Sequence, residues 1–438
     1  MAERLMFIAP GSHSIGELAN AVVMARQLAD RPVTLLTSPR FAGYARGSGL
    51  DVQEIPRGRR AAPFVRQQSA APDLAAVILA DHHLTSLERI GFTIADLADG
   101  APLICLDSLC LGRAGSRLEL AVAQHSIGPE LHHWFPPEVR TEPVPDQIPL
   151  LRPVPVAGDA PGGVAFDLYG GTLRPARGRD AVLASLGIDA GRTVVMTAVS
   201  GWASRATTRA HLGAPDRDHD AYAGLRTQWL VELCGRLGRR VTIVSLGGAQ
   251  TGPRDAGPVE VVNLGGLGMQ NFTDLVAAVD LYLCDNLTSG AMARAALLGT
   301  PVVALTNEHG IRDHSAFVDD WVTRMERVLP HFDFRYLVNP FGWVRELEPL
   351  RAGNPYLDAL PQAPAYSLDR QEEICREAIE SPRRPARDAL IGRLSELPTV
   401  AQVLDSALDG VLDRAINDAP DPARPVAGRQ SSSPTRKE

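Results

Sequence analysis

No apolar run in this sequence approaches the roughly 20 residues that a bilayer-spanning helix requires. The first residues also lack the charged, apolar and small-residue order of a signal peptide. A cytoplasmic protein without a membrane partner is the expectation. Cysteine is scarce: Cys105, Cys110, Cys234, Cys284 and Cys375 are an odd five, scattered through apolar segments, which suits buried free thiols rather than a disulfide framework. With no CxxC and no paired His/Cys spacing, no metal site is expected. Positive charge is not in excess, since 44 Lys and Arg face 51 Asp and Glu for a net charge of −7. Nucleic acids draw most of their affinity from clustered cations, so they are excluded as partners. The short cluster Arg57, Arg59, Arg60 reads as a solvated loop.

What is present is a chain of 438 residues, too long for one core and sufficient for two domains of about 150 to 200 residues each. Short continuous apolar runs at 5–9, 33–37, 52–56, 74–80 and 102–106 alternate with helical or loop stretches. After the first run, Leu18, Ala21, Val22, Ala25 and Leu28 recur at helical spacing. Runs of this kind fit buried parallel strands. A second set occupies 193–199, 240–246, 259–264, 281–284 and 301–306. The reading is α/β, with two doubly wound Rossmann-like domains facing across a cleft. Residues 1–155 form the first Rossmann-like domain, the Pro/Gly-rich stretch 156–180 the linker and 181–365 the second, which the resemblance described next makes the acceptor-binding and the donor-binding domain respectively. C-terminal helices follow at 366–417 and a Pro/Ser/Arg-rich tail, expected to be disordered, at 418–438.

The opening Phe7-Ile8-Ala9-Pro10-Gly11-Ser12-His13-Ser14-Ile15-Gly16-Glu17-Leu18 resembles the start of GT-B glycosyltransferases of the macrolide and plant UDP-sugar type, where a strand ends in a Gly-His loop that opens a helix. The stretch from Asn286 through Ser289-Gly290 to Leu298-Gly299-Thr300-Pro301 resembles that family's His-Gly-Gly-x-Gly-Thr loop and the helix that leaves through Leu-Gly-x-Pro. Asn286 stands where the family's loop histidine usually does, Leu287 and Thr288 on its glycines, and Arg294 where a Glu commonly holds the ribose. Gly290 alone keeps the motif's identity. The resemblance implies a metal-independent enzyme with no cofactor, moving a sugar from a nucleotide diphosphate to a small, secondary-metabolite-like acceptor. A homodimer is left open. So are two other roles of such a scaffold, a nucleotide-sugar epimerase and an inactive nucleotide-sugar-binding helper.

Thr288, Ser289 and Gly290 sit at a predicted helix start, where backbone N–H groups and the helix dipole favour a phosphate. The same three residues could simply cap the helix. Arg294 could reach a phosphate or the ribose, or be an exposed surface arginine. By resemblance, Ser200, Gly201 and Trp202 contact donor phosphates and sugar, although Trp202 could equally be core. Leu264 and Gly265 would meet the base, or form an ordinary turn. Glu308 and His309 would contact the sugar. Transfer also needs a general base across the cleft. His13 is the first candidate, against a histidine that only caps its helix. The second is Asp81 with His83, read as strand-end residues on a common face, against a buried hydrogen-bonded pair. Asp107 would orient His13 or cap its own loop.

Overall fold

The computed structural model describes residues 4–12, 15–28, 30–88, 91–97, 100–108, 110, 112–121, 138–154, 162–199, 221–247, 254–285, 289–306, 314–328, 355–381 and 385–417. The apolar runs become strands covered on both faces. In β1 (Arg4–Ala9), Leu5, Phe7 and Ala9 enter one core layer while Met6 and Ile8 enter the layer on the other side of the sheet. A strand buried on both faces has no polar alternation to show, and this is why the run is continuous.

The first sheet has the order β3-β2-β1-β4-β5-β8-β9 and is parallel throughout. Its other strands are β2 (Val33–Thr37), β3 (Asp51–Glu54), β4 (Leu74–Leu79), β5 (Leu103–Leu106), β8 (Leu150–Val154) and β9 (Val164–Asp167). The antiparallel pair β6 (Glu119–Ala121) and β7 (Glu138–Arg140) forms a separate ribbon. The second sheet has the order β12-β13-β11-β10-β14-β15-β16. It consists of β10 (Thr193–Ala198), β11 (Val241–Leu246), β12 (Arg254–Ala256), β13 (Val259–Leu264), β14 (Leu281–Cys284), β15 (Val302–Thr306) and β16 (Gln362–Pro364), with β12 alone antiparallel. Two doubly wound α/β domains are therefore what the chain forms. The five cysteines are free and buried. Among the described residues no helix is long and apolar enough to cross a membrane.

Two segments differ from the sequence expectation. β9 lies inside the stretch 156–180 assigned to a linker, yet it is the seventh strand of the first sheet, with Phe166 fully buried. Pro153 and Gly163 disguise this. Pro153 gives up a ladder donor within β8, and a Cβ at Gly163 would stand 2.7 Å from Arg152 Nε, so glycine there makes room for a buried guanidinium. The C-terminal helices also divide. Helix Leu368–Glu380 packs on the second sheet through Leu368, Cys375 and Ala378, whereas helix Val400–Asn417 returns to the first domain and buries Val400, Val403, Leu404 and Ala407 there.

Candidate functional site

In an open parallel sheet, ligands bind beyond the carboxyl ends of the strands, where the chain's winding changes direction. The first sheet winds through β1, β2 and β3 one way and through β4 and β5 the other, so its crevice lies between β1 and β4. The loop from β1 carries Ser12, and that from β4 carries Asp81. By the same rule the second crevice lies between β10 and β14. Ser200, Gly201 and Trp202 belong to the segment after β10, and Asn286 and Thr288 to that after β14. These five residues, like His13, Glu308 and His309, lie outside the described residues.

Ser289 and Gly290 begin the helix Gly290–Leu298 at the second crevice. The Ser289 side chain caps it, accepting from Met292 N at 3.4 Å. The helix ends at Gly299, whose φ of 86° is the left-handed cap that the Leu-Gly-Thr-Pro exit predicts. Gly290 has no such constraint: its φ is not positive, and a Cβ would meet only Asn20 Oδ1, at an ordinary 3.9 Å. Among the described residues nothing calls for glycine there. Beneath this point Arg226 pairs with Asp285 at 2.7 Å and donates to Thr197 Oγ1 at 3.3 Å, which ties the ends of β14 and β10 together. Sequence reasoning missed this bridge; its signal was an acid immediately after the last residue of β14. Leu264 ends β13 half-buried, followed by exposed Gly265, on the far side of β11.

Arg294 is neither at the surface nor open to a phosphate. It is 5% exposed, in the seam between the domains. Its Nε donates to the Tyr169 hydroxyl at 3.4 Å, and its guanidinium lies 6.0 and 5.8 Å from the rings of Tyr169 and Phe272. Burial acts to lower its pKa, but the Tyr169 and Tyr44 phenols outweigh it and hold it up.

The first crevice is crowded with buried titratable groups. β4 ends at Leu79, so His82 and His83 form the first turn of the helix His82–Glu88, and strand alternation does not govern them. Asp81 caps that turn, with Oδ1 accepting from Leu84 N at 2.8 Å and Oδ2 from Ser108 N at 3.1 Å. His83 turns instead to Thr141 Oγ1, 3.3 Å from Nδ1, and its Nε2 is buried without a partner. The expected pairing of the Asp81 carboxylate with the His83 ring is therefore absent. Burial, with His82 adding to it, pushes His83 down to about 3. Burial pushes Asp81 up to about 7, opposed by the Leu84 N–H and reinforced by Asp107.

Asp107 Oδ2 accepts from Arg152 Nε at 3.0 Å and from Gly112 N at 2.9 Å, in its own loop, and both charged side chains are almost wholly buried; His13, which it was expected to orient, lies outside the described residues. The loop leading to His13 is held by other groups. Glu88 Oε2 accepts from the Ser12 amide at 2.5 Å and its hydroxyl at 3.0 Å, Arg40 donates to Ser12 O at 2.9 Å, and Ser38 to Gly11 O at 2.8 Å. Glu17, also missed, is buried with Oε2 unpartnered. Burial pushes it up to about 8 against its own backbone N–H, with Asp81 and Glu88 adding to the rise. Among the described residues no group of three or more ligating side chains is placed to hold a metal ion.

Residues 24–412 match a family of unknown function, DUF6365. No curated protein matches the sequence. Similar solved structures include the glycosyltransferase SnogD from Streptomyces nogalater, 13% identical, covering 93% of this chain and 99% of its own, at a TM-score of 0.45. Arabidopsis thaliana UGT89C1 complexed with quercetin is 13% identical, with coverages of 94% and 100% and a TM-score of 0.49. A putative UDP-N-acetylglucosamine 2-epimerase from Listeria monocytogenes is 12% identical, with coverages of 94% and 98% and a TM-score of 0.49. Likenesses this distant carry no activity from one chain to another.

Proposed function

For this chain, which belongs to the DUF6365 family, we propose a cytoplasmic glycosyltransferase that moves a sugar from a nucleotide diphosphate to a small acceptor, of the kind found among secondary metabolites. The observation that carries the proposal is Gly290: a helix start without a side chain at the second sheet's crevice, where none of the described residues requires glycine. A missing side chain there lets a pyrophosphate approach the free N–H groups and the positive end of the helix dipole. The leaving diphosphate gathers charge as the glycosidic bond to its oxygen breaks, and those donors stabilise it.

The acceptor's nucleophilic atom, oxygen, nitrogen or sulfur, attacks the anomeric carbon from the first-domain side and passes its proton to His13, which follows Gly11 and Ser12, the residues that Ser38, Glu88 and Arg40 hold. The donor's base lies along Leu264 and Gly265, and the loop of Ser200, Gly201 and Trp202, with Glu308 and His309, completes the sugar's surroundings. An epimerase would recruit Asp81, His83 and Glu308. Asp81 and His83 are taken up in capping and burial, and this favours transfer over epimerisation.

Calorimetric titration with uridine, thymidine and guanosine diphosphates tests the donor site. Gly290→Asp is expected to weaken binding by at least ~100-fold while the melting temperature stays within a few degrees, because an acid at a helix start suits the dipole yet repels phosphate. Undiminished binding in this variant would overturn the assignment. Release of nucleotide that depends on an added acceptor would establish transfer, whereas binding without turnover would point to a helper protein.

A further inference from the structure

The cluster Arg57, Arg59, Arg60 reads in the sequence as a solvated loop, and the fold gives that loop a particular place. Strands β2 and β3 are neighbours, and Ile55 N donates to Thr37 O at 2.8 Å, so the residues that follow them leave the sheet together at its carboxyl edge. Those after β2 grip the loop that leads to His13: Ser38 donates to Gly11 O and Arg40 to Ser12 O. Those after β3 are the cluster itself. On its other side the cluster meets the segment that leaves the helix His82–Glu88, since a Cβ at Gly91 would stand 2.7 Å from Gly58 O. Glu88, at the end of that helix, accepts from Ser12. The three arginines therefore stand beside the first crevice, on the rim that carries Ser12.

Charge sets them apart from their neighbours. Arg46 on one side pairs with Glu54 at 2.7 Å, and Arg66 on the other pairs with Asp96 at 2.6 Å. Between these bridges Arg57, Arg59 and Arg60 are exposed, and among the described residues no acid pairs with any of them. The helix Ala61–Ser69 begins directly after them with no acid in its first turn and no side-chain cap, so its dipole adds to the same positive field. Three like charges within four residues repel one another, and a bound oxyanion relieves the repulsion. A guanidinium fork meets a carboxylate or a phosphate with two parallel hydrogen bonds. We propose that this rim binds the oxyanion of an acidic acceptor, a small molecule that carries a carboxylate or a phosphate apart from the atom that receives the sugar. The inference rests on the proposed function for the transfer itself, but the anion site is open to measurement without a donor.

The test is an NMR titration of the full chain with three aryl probes of similar shape: 4-hydroxybenzoate, 4-hydroxyphenyl phosphate and the uncharged methyl 4-hydroxybenzoate. At least one anion is expected to bind about fivefold or more tightly than the ester at low salt, and the tighter of the two names the group that the rim prefers. Added salt should shrink the preference, since these side chains are exposed. Arg57→Ser, Arg59→Ser and Arg60→Ser together should bring it to within about twofold of parity, with the melting temperature changed by only a few degrees. Gly290→Asp, in the other domain, should keep it. No preference in the unsubstituted protein, a preference that survives loss of the three arginines, or one that disappears in Gly290→Asp overturns the inference. A preference that depends on the three arginines in a protein that binds no uridine diphosphate would instead strike down the donor reading and leave the anion site standing.

Discussion

The two domains place the same kind of crevice at the same point of the same fold and fill it in opposite ways. Beyond β1 and β4 the first domain packs Glu17, Asp81, His82, His83 and the Asp107–Arg152 pair, all of them buried. Beyond β14 the second domain presents a capping serine and a glycine whose nearest neighbour among the described residues is Asn20 Oδ1, at 3.9 Å. Buried charges that bond to each other and to backbone hold loops in one arrangement. Backbone donors left without a side chain over them are free for a ligand. The first edge is thus built to keep its own shape, and the second is where the proposed function seats a phosphate.

The comparison breaks most visibly at Arg152. Arg152→Met leaves Asp107 as a buried carboxylate without its cation, and breaking a pair of this kind costs about 3–5 kcal/mol. Urea denaturation of the two proteins measures it. Removing both charges, as Asp107→Leu with Arg152→Met, should recover much of the loss, because two apolar groups leave nothing stranded. A loss below about 1 kcal/mol in the single variant would mean that the first edge is not held by its charges.

A pH series sharpens the contrast. Glu17 rises from 4.5 to about 8 in the folded chain, so the native carboxyl keeps its proton where the unfolded chain has released it. Stability from this group is complete below pH 4.5 and is lost as pH rises through about 8. Glu17→Gln should therefore leave the melting temperature unchanged at about pH 4 and raise it by several degrees at about pH 9. His83 runs the other way. Its value falls from 6.5 to about 3, so its contribution is complete above 6.5 and is lost as pH falls toward 3. An equal gain in Glu17→Gln at both ends of the series would show that this carboxyl does not titrate with folding.

The smallest effect belongs to the second edge. The cap from Ser289 to Met292 N is long at 3.4 Å, so Ser289→Ala should cost no more than about 1 kcal/mol in a thermal melt. Nucleotide affinity, read by titration, should fall by a larger factor than stability suggests, since the hydroxyl lies at the mouth of the proposed phosphate site. A stability loss as large as that of Arg152→Met would erase the distinction between the edges.

Much of the scaffold was legible because its signals are local. The Val/Ile/Leu runs of β1, β4, β10 and β14, the helix from Gly290 and its left-handed exit at Gly299 each follow from a few neighbouring residues. β9 was not legible. The prolines and glycines that flank it imitate a linker, and the arginine that requires Gly163 to be bare is in another strand. Asp81 and His83 were misjudged because strand β4 ends two residues before Asp81, and a helix start follows a different periodicity from a strand end.

The sequence by itself determined that two parallel sheets form, each wound both ways from its first strand, and that a bare helix start follows β14. Burial on both faces writes itself into every run of adjacent residues, and needs no knowledge of the rest of the chain. Which charges meet was decided only by the tertiary structure. Asp107 and Arg152 stand 45 residues apart and Arg294 and Tyr169 stand 125 apart. Crossovers between strands and the seam between domains bring such groups together, and no local periodicity encodes that approach.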